Sequence, residues 1–178
     1  MRTGRARPAL TAALVGVMAA TIECGKLALS FLPNVEVVTI LTALYSYAFG
    51  WLGVAAAVVF VLIEPLIYGF GSWFVSYLIY WPLVALVFLF LSTRGVRGRI
   101  TVTAIAVILT VFFGVLTSLV DIGLFSGFFD NFLYRFGIYY ARGIVFYAVQ
   151  TACNAVLFFL LFPLLSEKLT LIRDRILR

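Results

Sequence analysis

Eight ionisable residues of this chain stand apart from its basic clusters and its C-terminal tail: Glu23, Lys26, Glu36, Glu64, Asp121, Asp130, Arg135 and Arg142. They lie in or beside long apolar runs. A charged group at membrane depth costs several kcal/mol unless it is paired or faces a water-filled cavity. Counted at about 1.5 Å per residue along the predicted helices, Glu23, Lys26, Glu64, Asp121 and Arg142 fall toward the outer half of a lipid slab. That asymmetry points to a polar cavity that opens outward and is closed toward the cytoplasm. Two simpler uses compete with it: Glu23 and Lys26, three apart on one helix, can neutralise each other, and long side chains can snorkel to the outer headgroups.

Ring-bearing and polar side chains share helix faces with these groups. Trp73, Tyr77, Tyr80 and Trp81 fall within an arc of about 100° on one predicted helix. Tyr139, Arg142, Phe146 and Gln150 share a face of another, with Asn154 at its edge, and Thr110, Gly114, Thr117 and Asp121 align on a third. Aromatic faces stack on flat heterocycles and on cations while a few fixed polar groups orient them, which is how small-molecule pockets are built. An interfacial aromatic belt accounts for Trp73 and Tyr139, whereas Tyr80 and Trp81 lie about two turns deeper.

Other chemistries lack their residues. The chain has no His, which removes His-based triads, His-containing zinc sites and haem ligation. Cys24 and Cys153 sit in apolar runs without paired spacing, so neither a disulfide framework nor a metal cluster is indicated. There is no GxxxxGK[ST] loop and no nucleophile–base constellation, so no enzymatic activity and no cofactor are expected, and any ATP-driven step needs a separate ATPase.

The elements that must position these residues follow from composition. The chain has 178 residues, 65% of them hydrophobic and 11% charged, with a mean hydropathy of +1.17. Soluble domains carry roughly 45–50% apolar and about 25% charged residues, so most of this exterior must face lipid. A spanning helix takes about 20 apolar residues. The chain divides into six such segments, at about 9–32, 37–49, 52–68, 73–91, 100–124 and 138–165, followed by a tail, 166–178. The expected fold is an all-α membrane protein, a compact bundle of six transmembrane helices forming one integral domain over residues 1–178.

Basic residues fix the expected orientation. Arg2, Arg5 and Arg7 precede the first segment, Arg94, Arg97 and Arg99 follow the fourth, and Lys168, Arg173, Arg175 and Arg178 follow the sixth. Short loops rich in Lys and Arg stay in the cytoplasm. Six spans put all three clusters, and hence both termini, on that side of the cell membrane; five or seven would not. The net charge of +6 is therefore a topology signal, and no nucleic-acid partner is expected. The first segment is read as a span and not a cleavable signal peptide, because its apolar run continues past the small residues to Leu32. Along it, Ala9, Ala13 and Val17, beside Ala12, Gly16 and Ala20, present small side chains at helical spacing, which lets another helix approach closely.

Together these features resemble the substrate-binding S component of energy-coupling factor (ECF) transporters. The resemblance rests on the size, the six spans with both ends inside, and Ala9-x-x-x-Ala13 on the first helix. It rests also on the segments Phe31-Leu32-Pro33-Asn34-Val35-Glu36 and Leu66-Ile67-Tyr68-Gly69-Phe70-Gly71-Ser72-Trp73, and on the ending from Asn154 through Pro163-Leu164-Leu165. It implies high-affinity capture of a vitamin or related micronutrient at the outer face, on a floor from helices four to six under a lid from the loops after helices one and five. It places Asn34 and Glu36 in the first loop, Asp130, Asn131 and Arg135 in the second, and Trp73, Tyr77, Tyr80, Trp81, Arg142, Gln150 and Asn154 in the pocket wall. Asp121 and Tyr139 complete the candidate substrate-binding set. The implied partners are a membrane T component, which would meet Ala9 and Ala13, and two ATPases. The substrate stays open: Arg142 with Arg135 suits a carboxylate or phosphate, while Asp121, Glu64 and Glu36 suit a cation or hydrogen-bond donors. A structural scaffold resembling the rod-shape protein MreD is the competing reading, and it expects no ligand.

Overall fold

The computed structural model describes residues 8–125, 127–128 and 130–177; the basic residues Arg2, Arg5, Arg7 and Arg178 lie outside the described residues. Six α-helices follow one another: α1 (Pro8–Ala28), α2 (Val38–Phe49), α3 (Trp51–Tyr68), α4 (Ser72–Thr93), α5 (Arg99–Phe125) and α6 (Phe132–Ile176). Five of them, all but α2, are long and apolar enough to cross a membrane. Their outward surface is apolar too, with Leu66, Phe70, Ile100 and Leu133 among the most exposed side chains. An exterior this apolar is unlike that of a soluble protein, and the architecture is that of a multi-pass membrane protein.

The short helix is the centre of the bundle. At 12 residues, α2 is about 18 Å long, well under the roughly 30 Å of a hydrocarbon core. Ten of its residues are buried, because α1, α3, α4 and α6 all pack on it. A helix enclosed by protein need not match the thickness of the slab. The six expected helices are present, but the second, expected at about 37–49, is a short buried helix among five long ones. Glu36 sets where α2 starts: its Oε2 accepts from the Thr39 N–H at 2.9 Å and its Oε1 from the Thr39 hydroxyl at 2.6 Å, satisfying a donor that the first helical turn otherwise leaves open.

At the other end of α2, three contacts tie it to its neighbours. The Tyr47 hydroxyl donates to the Val96 carbonyl at 2.9 Å, the Ser92 hydroxyl to the Tyr47 carbonyl at 2.7 Å, and Arg173 Nη1 to the Ala48 carbonyl at 2.8 Å. The last of these accounts for a second correction. The predicted tail 166–178 is helix as far as Ile176, and α6 also begins at Phe132, six residues before the expected start. Ser166 and Leu169 pack inward and Arg173 reaches α2, so the helix has contacts to hold it beyond Pro163. The first helix is shorter than expected. It ends at Ala28, and residues 29–32 turn with three-residue hydrogen bonds such as Leu32 N–H to the Leu29 carbonyl, 2.9 Å, ahead of Pro33.

The α2–α3 connection is a single residue, Gly50, at φ +64°, a left-handed conformation that glycine adopts without strain. Three residues on, Gly53 lies directly against the Tyr45 carbonyl and the Ser46 backbone nitrogen, where any Cβ would collide. Backbone cannot move aside as a flexible side chain can. Gly53→Ala is therefore expected to destabilise the protein by roughly 3 kcal/mol, whereas Gly16→Ala, with nothing within 4 Å, should leave the unfolding temperature unchanged or slightly raised. Thermal unfolding of the two variants in detergent checks the pair.

Candidate functional site

All six helices and the α1–α2 loop contribute to one cavity of about 280 Å³, near the lower edge of the range for small-molecule sites. Loop residues Leu32, Pro33, Asn34, Val35 and Glu36 form one side. The rings of Phe60, Tyr68, Tyr77, Trp81 and Phe113 form most of the rest, with Lys26 of α1 and Gln150 of α6 as polar points between them. Asn34 takes a left-handed backbone, φ 59°, which Asn tolerates better than most residues and which turns the loop over the cavity.

The aromatic stripe expected on α4 exists as a contact chain. Trp73 stands edge-on to Tyr77 at 5.1 Å between ring centres, and Tyr77 edge-on to Trp81 at 5.5 Å. Trp81 also meets Phe60 of α3 and Phe113 of α5, each at 6.1 Å. Tyr80 is turned away from the cavity, its ring 4.7 Å from Trp81 and 4.6 Å from Phe113. Trp81 is buried on the cavity wall with its indole N–H unpartnered, and an unmet buried donor costs about 1–3 kcal/mol. Gln150 is likewise buried on the wall and makes no hydrogen bond among the described residues.

Glu36 fastens the loop. Besides capping α2 it accepts from Asn154 Nδ2 at 2.7 Å, and the same amide reaches the Thr110 hydroxyl at 3.1 Å. One carboxylate thus joins the loop to α2 and α6, and through the Asn154 amide to α5, with all of its hydrogen bonds made inside the fold. Charged acceptors hold such bonds more strongly than neutral ones. Asn154→Ala is expected to lower stability by about 2 kcal/mol and to loosen the loop. Amide hydrogen exchange across residues 33–37 would show faster exchange, and unchanged exchange would mean the tether carries no load.

A second polar group stands beside the cavity. Lys26 does not pair with Glu23 on its own helix; it reaches α3 and forms an ion pair with Glu64, whose side chain is fully buried. Its ammonium lies over the Tyr68 ring, 4.2 Å from the centre, and 5.4 Å from that of Tyr77. Glu23 accepts from the Tyr68 hydroxyl at 3.4 Å. Of the five charged groups that sequence counting put toward one end of the helices, Glu23, Lys26 and Glu64 gather here.

Of the candidate residues, Asn34, Glu36, Tyr77, Trp81 and Gln150 line the cavity. Asn154 stands behind Glu36, Trp73 behind Tyr77 and Tyr80 behind Trp81. Asp121, Arg135, Tyr139 and Arg142 are not brought there. Along α6, Arg142 lies about 12 Å, Tyr139 about 16 Å and Arg135 about 22 Å from Gln150; Asp121 is about 12 Å from Phe113 along α5. Arg142 is exposed, with its guanidinium 5.9 Å from the Tyr139 ring, and Arg135 donates to the Gly127 carbonyl at 2.9 Å. The loop after α5, with Asp130 and Asn131, contributes nothing to the cavity wall among the described residues. Sequence reasoning missed Phe60, Tyr68 and Phe113. Phe60 and Phe113 sit in uniformly apolar runs without a distinguishing signal, but Tyr68, one turn beyond Glu64 on the same helix, could have been found from that spacing.

On α1, which packs on α3 and α2, Ala9, Ala12, Ala13, Gly16 and Ala20 are all exposed. The small-residue face is thus not used for packing within this chain. No family model, curated protein or solved structure matches the chain.

Proposed function

We propose that this protein is a membrane-embedded capture subunit for a small micronutrient of the vitamin class, working as the S component of an ECF-type transporter. The observation that carries the reading is the cavity: a ring-lined chamber whose wall holds a buried Trp81 N–H without a partner, with the Gln150 amide beside the rings. A scaffold gains nothing from leaving such a donor unmet, whereas a guest molecule supplies its partner. In this reading both termini lie in the cytoplasm, the cavity faces the outside of the cell membrane, and the loop carrying Asn34 and Glu36 closes over the substrate.

The exposed small-residue face of α1 supports the second half of the proposal. Ala9 and Ala13 would let a helix of the membrane T component approach closely, and two separate ATPases would drive release inward. Purification from native membranes in mild detergent tests this. The reading expects a T component and two ATPases with the protein; cell-wall synthesis proteins in their place, with no ATPase, would favour the scaffold.

A further inference from the structure

The charges around the cavity do not balance. Three carboxyl groups, Glu23, Glu36 and Glu64, stand in or directly behind its wall against the single ammonium of Lys26. Glu64 has no exposure and Glu23 is 7% exposed; the two carboxyl groups lie side by side, and beyond each other Glu64 Oε1 and Glu23 Oε2 have no hydrogen-bond partner. A buried carboxylate without a counter-charge is strongly disfavoured. Among the described residues no second base lines the cavity: Arg142 is exposed beside Tyr139, and Arg135 donates to the Gly127 carbonyl. The neighbourhood is therefore short of positive charge, which argues against an anionic guest.

The rings add a second, independent pointer. The ammonium of Lys26 already rests over the faces of Tyr68 and Tyr77, two rings that line the cavity. An aromatic face within about 6 Å of a cation attracts it through the ring quadrupole, and walls of several such faces are how proteins hold quaternary ammonium groups. Trp81 and Phe113 extend the same wall beyond the reach of Lys26.

We propose that the captured molecule is an organic cation, a small one- or two-ring compound or amine whose positive charge lies against Tyr77 and Trp81, balanced by the surrounding carboxyl groups, while Gln150 meets its polar edge. The inference rests on the capture reading and specifies its substrate class.

Three pyridine compounds with nearly the same ring and side group but different charge test it: 1-methylnicotinamide, a cation; nicotinamide, neutral; and nicotinate, an anion. Binding to the purified full-length protein is measured by equilibrium dialysis. The cation is expected to bind at least about tenfold more tightly than nicotinamide, with nicotinate weakest of the three. Lys26→Met should strengthen cation binding by about threefold or more and leave nicotinamide unchanged, an outcome that simple damage to the fold cannot produce. Should Lys26→Met fail to fold, Glu36→Gln is expected to weaken the cation selectively. A preference for nicotinamide or nicotinate, or no binding of any of the three, overturns the assignment. The capture reading itself falls only if the protein also carries no small molecule from the cell.

Discussion

Trp81→Ala is expected to weaken binding of the captured molecule by at least about tenfold, or about 1.4 kcal/mol. Trp81 is the residue through which the ring wall is continuous: it touches Tyr77 and Tyr80 of its own helix, Phe60 of α3 and Phe113 of α5. Removing it takes away a stacking face and an N–H donor at once, and widens the chamber. The same change costs the fold about 3–5 kcal/mol in lost packing, so affinity must be read beside a variant that spares the structure. Trp81→Phe keeps a ring and removes the unpartnered donor. It should preserve or raise the unfolding temperature of the empty protein while still weakening the ligand. Isothermal titration of both variants checks the pair, and unchanged affinity in both would take Trp81 out of the site.

Ala13→Trp is expected to abolish uptake while leaving binding intact. Ala13 is exposed on α1, about 20 Å along the helix from Lys26, too far to disturb the cavity. An indole there would hold any partner helix several ångströms away, and close approach is the whole advantage of small residues at a membrane interface. Uptake of the labelled substrate by cells, against binding by purified protein, separates the two effects. Normal uptake by the variant would mean that this face docks nothing.

Much of the architecture is legible in the sequence because hydropathy and helical period report it directly. The starts and ends of α3, α4 and α5 lie where apolar runs meet Gly and polar breaks. The α4 stripe is legible for the same reason: Trp73, Tyr77 and Trp81 are spaced four apart, and their rings meet in that order. What the sequence does not carry is depth. Arg142 and Tyr139 share a helical face with Gln150, yet only Gln150 reaches the cavity, because the level at which α6 engages the bundle is set by contacts distant in the chain. The bond from Asn154 to Glu36 spans 118 positions, and no local pattern announces it. The same limit applies to Lys26. Spacing alone offers Glu23 on its own helix, while the fold provides Glu64 of α3. The role of α2 was hidden for a different reason, since a helix buried on all sides and one facing lipid are equally apolar.

A ring-lined chamber that holds a guest should carry one out of the cell on purification. The most direct test is mass spectrometry of small molecules released on denaturing the protein purified from its native membranes, with Trp81→Phe purified in parallel. One compound is expected, a small organic cation, near one equivalent per chain and depleted in the variant. Protein that is repeatedly empty, or a compound carried equally by both, would contradict it.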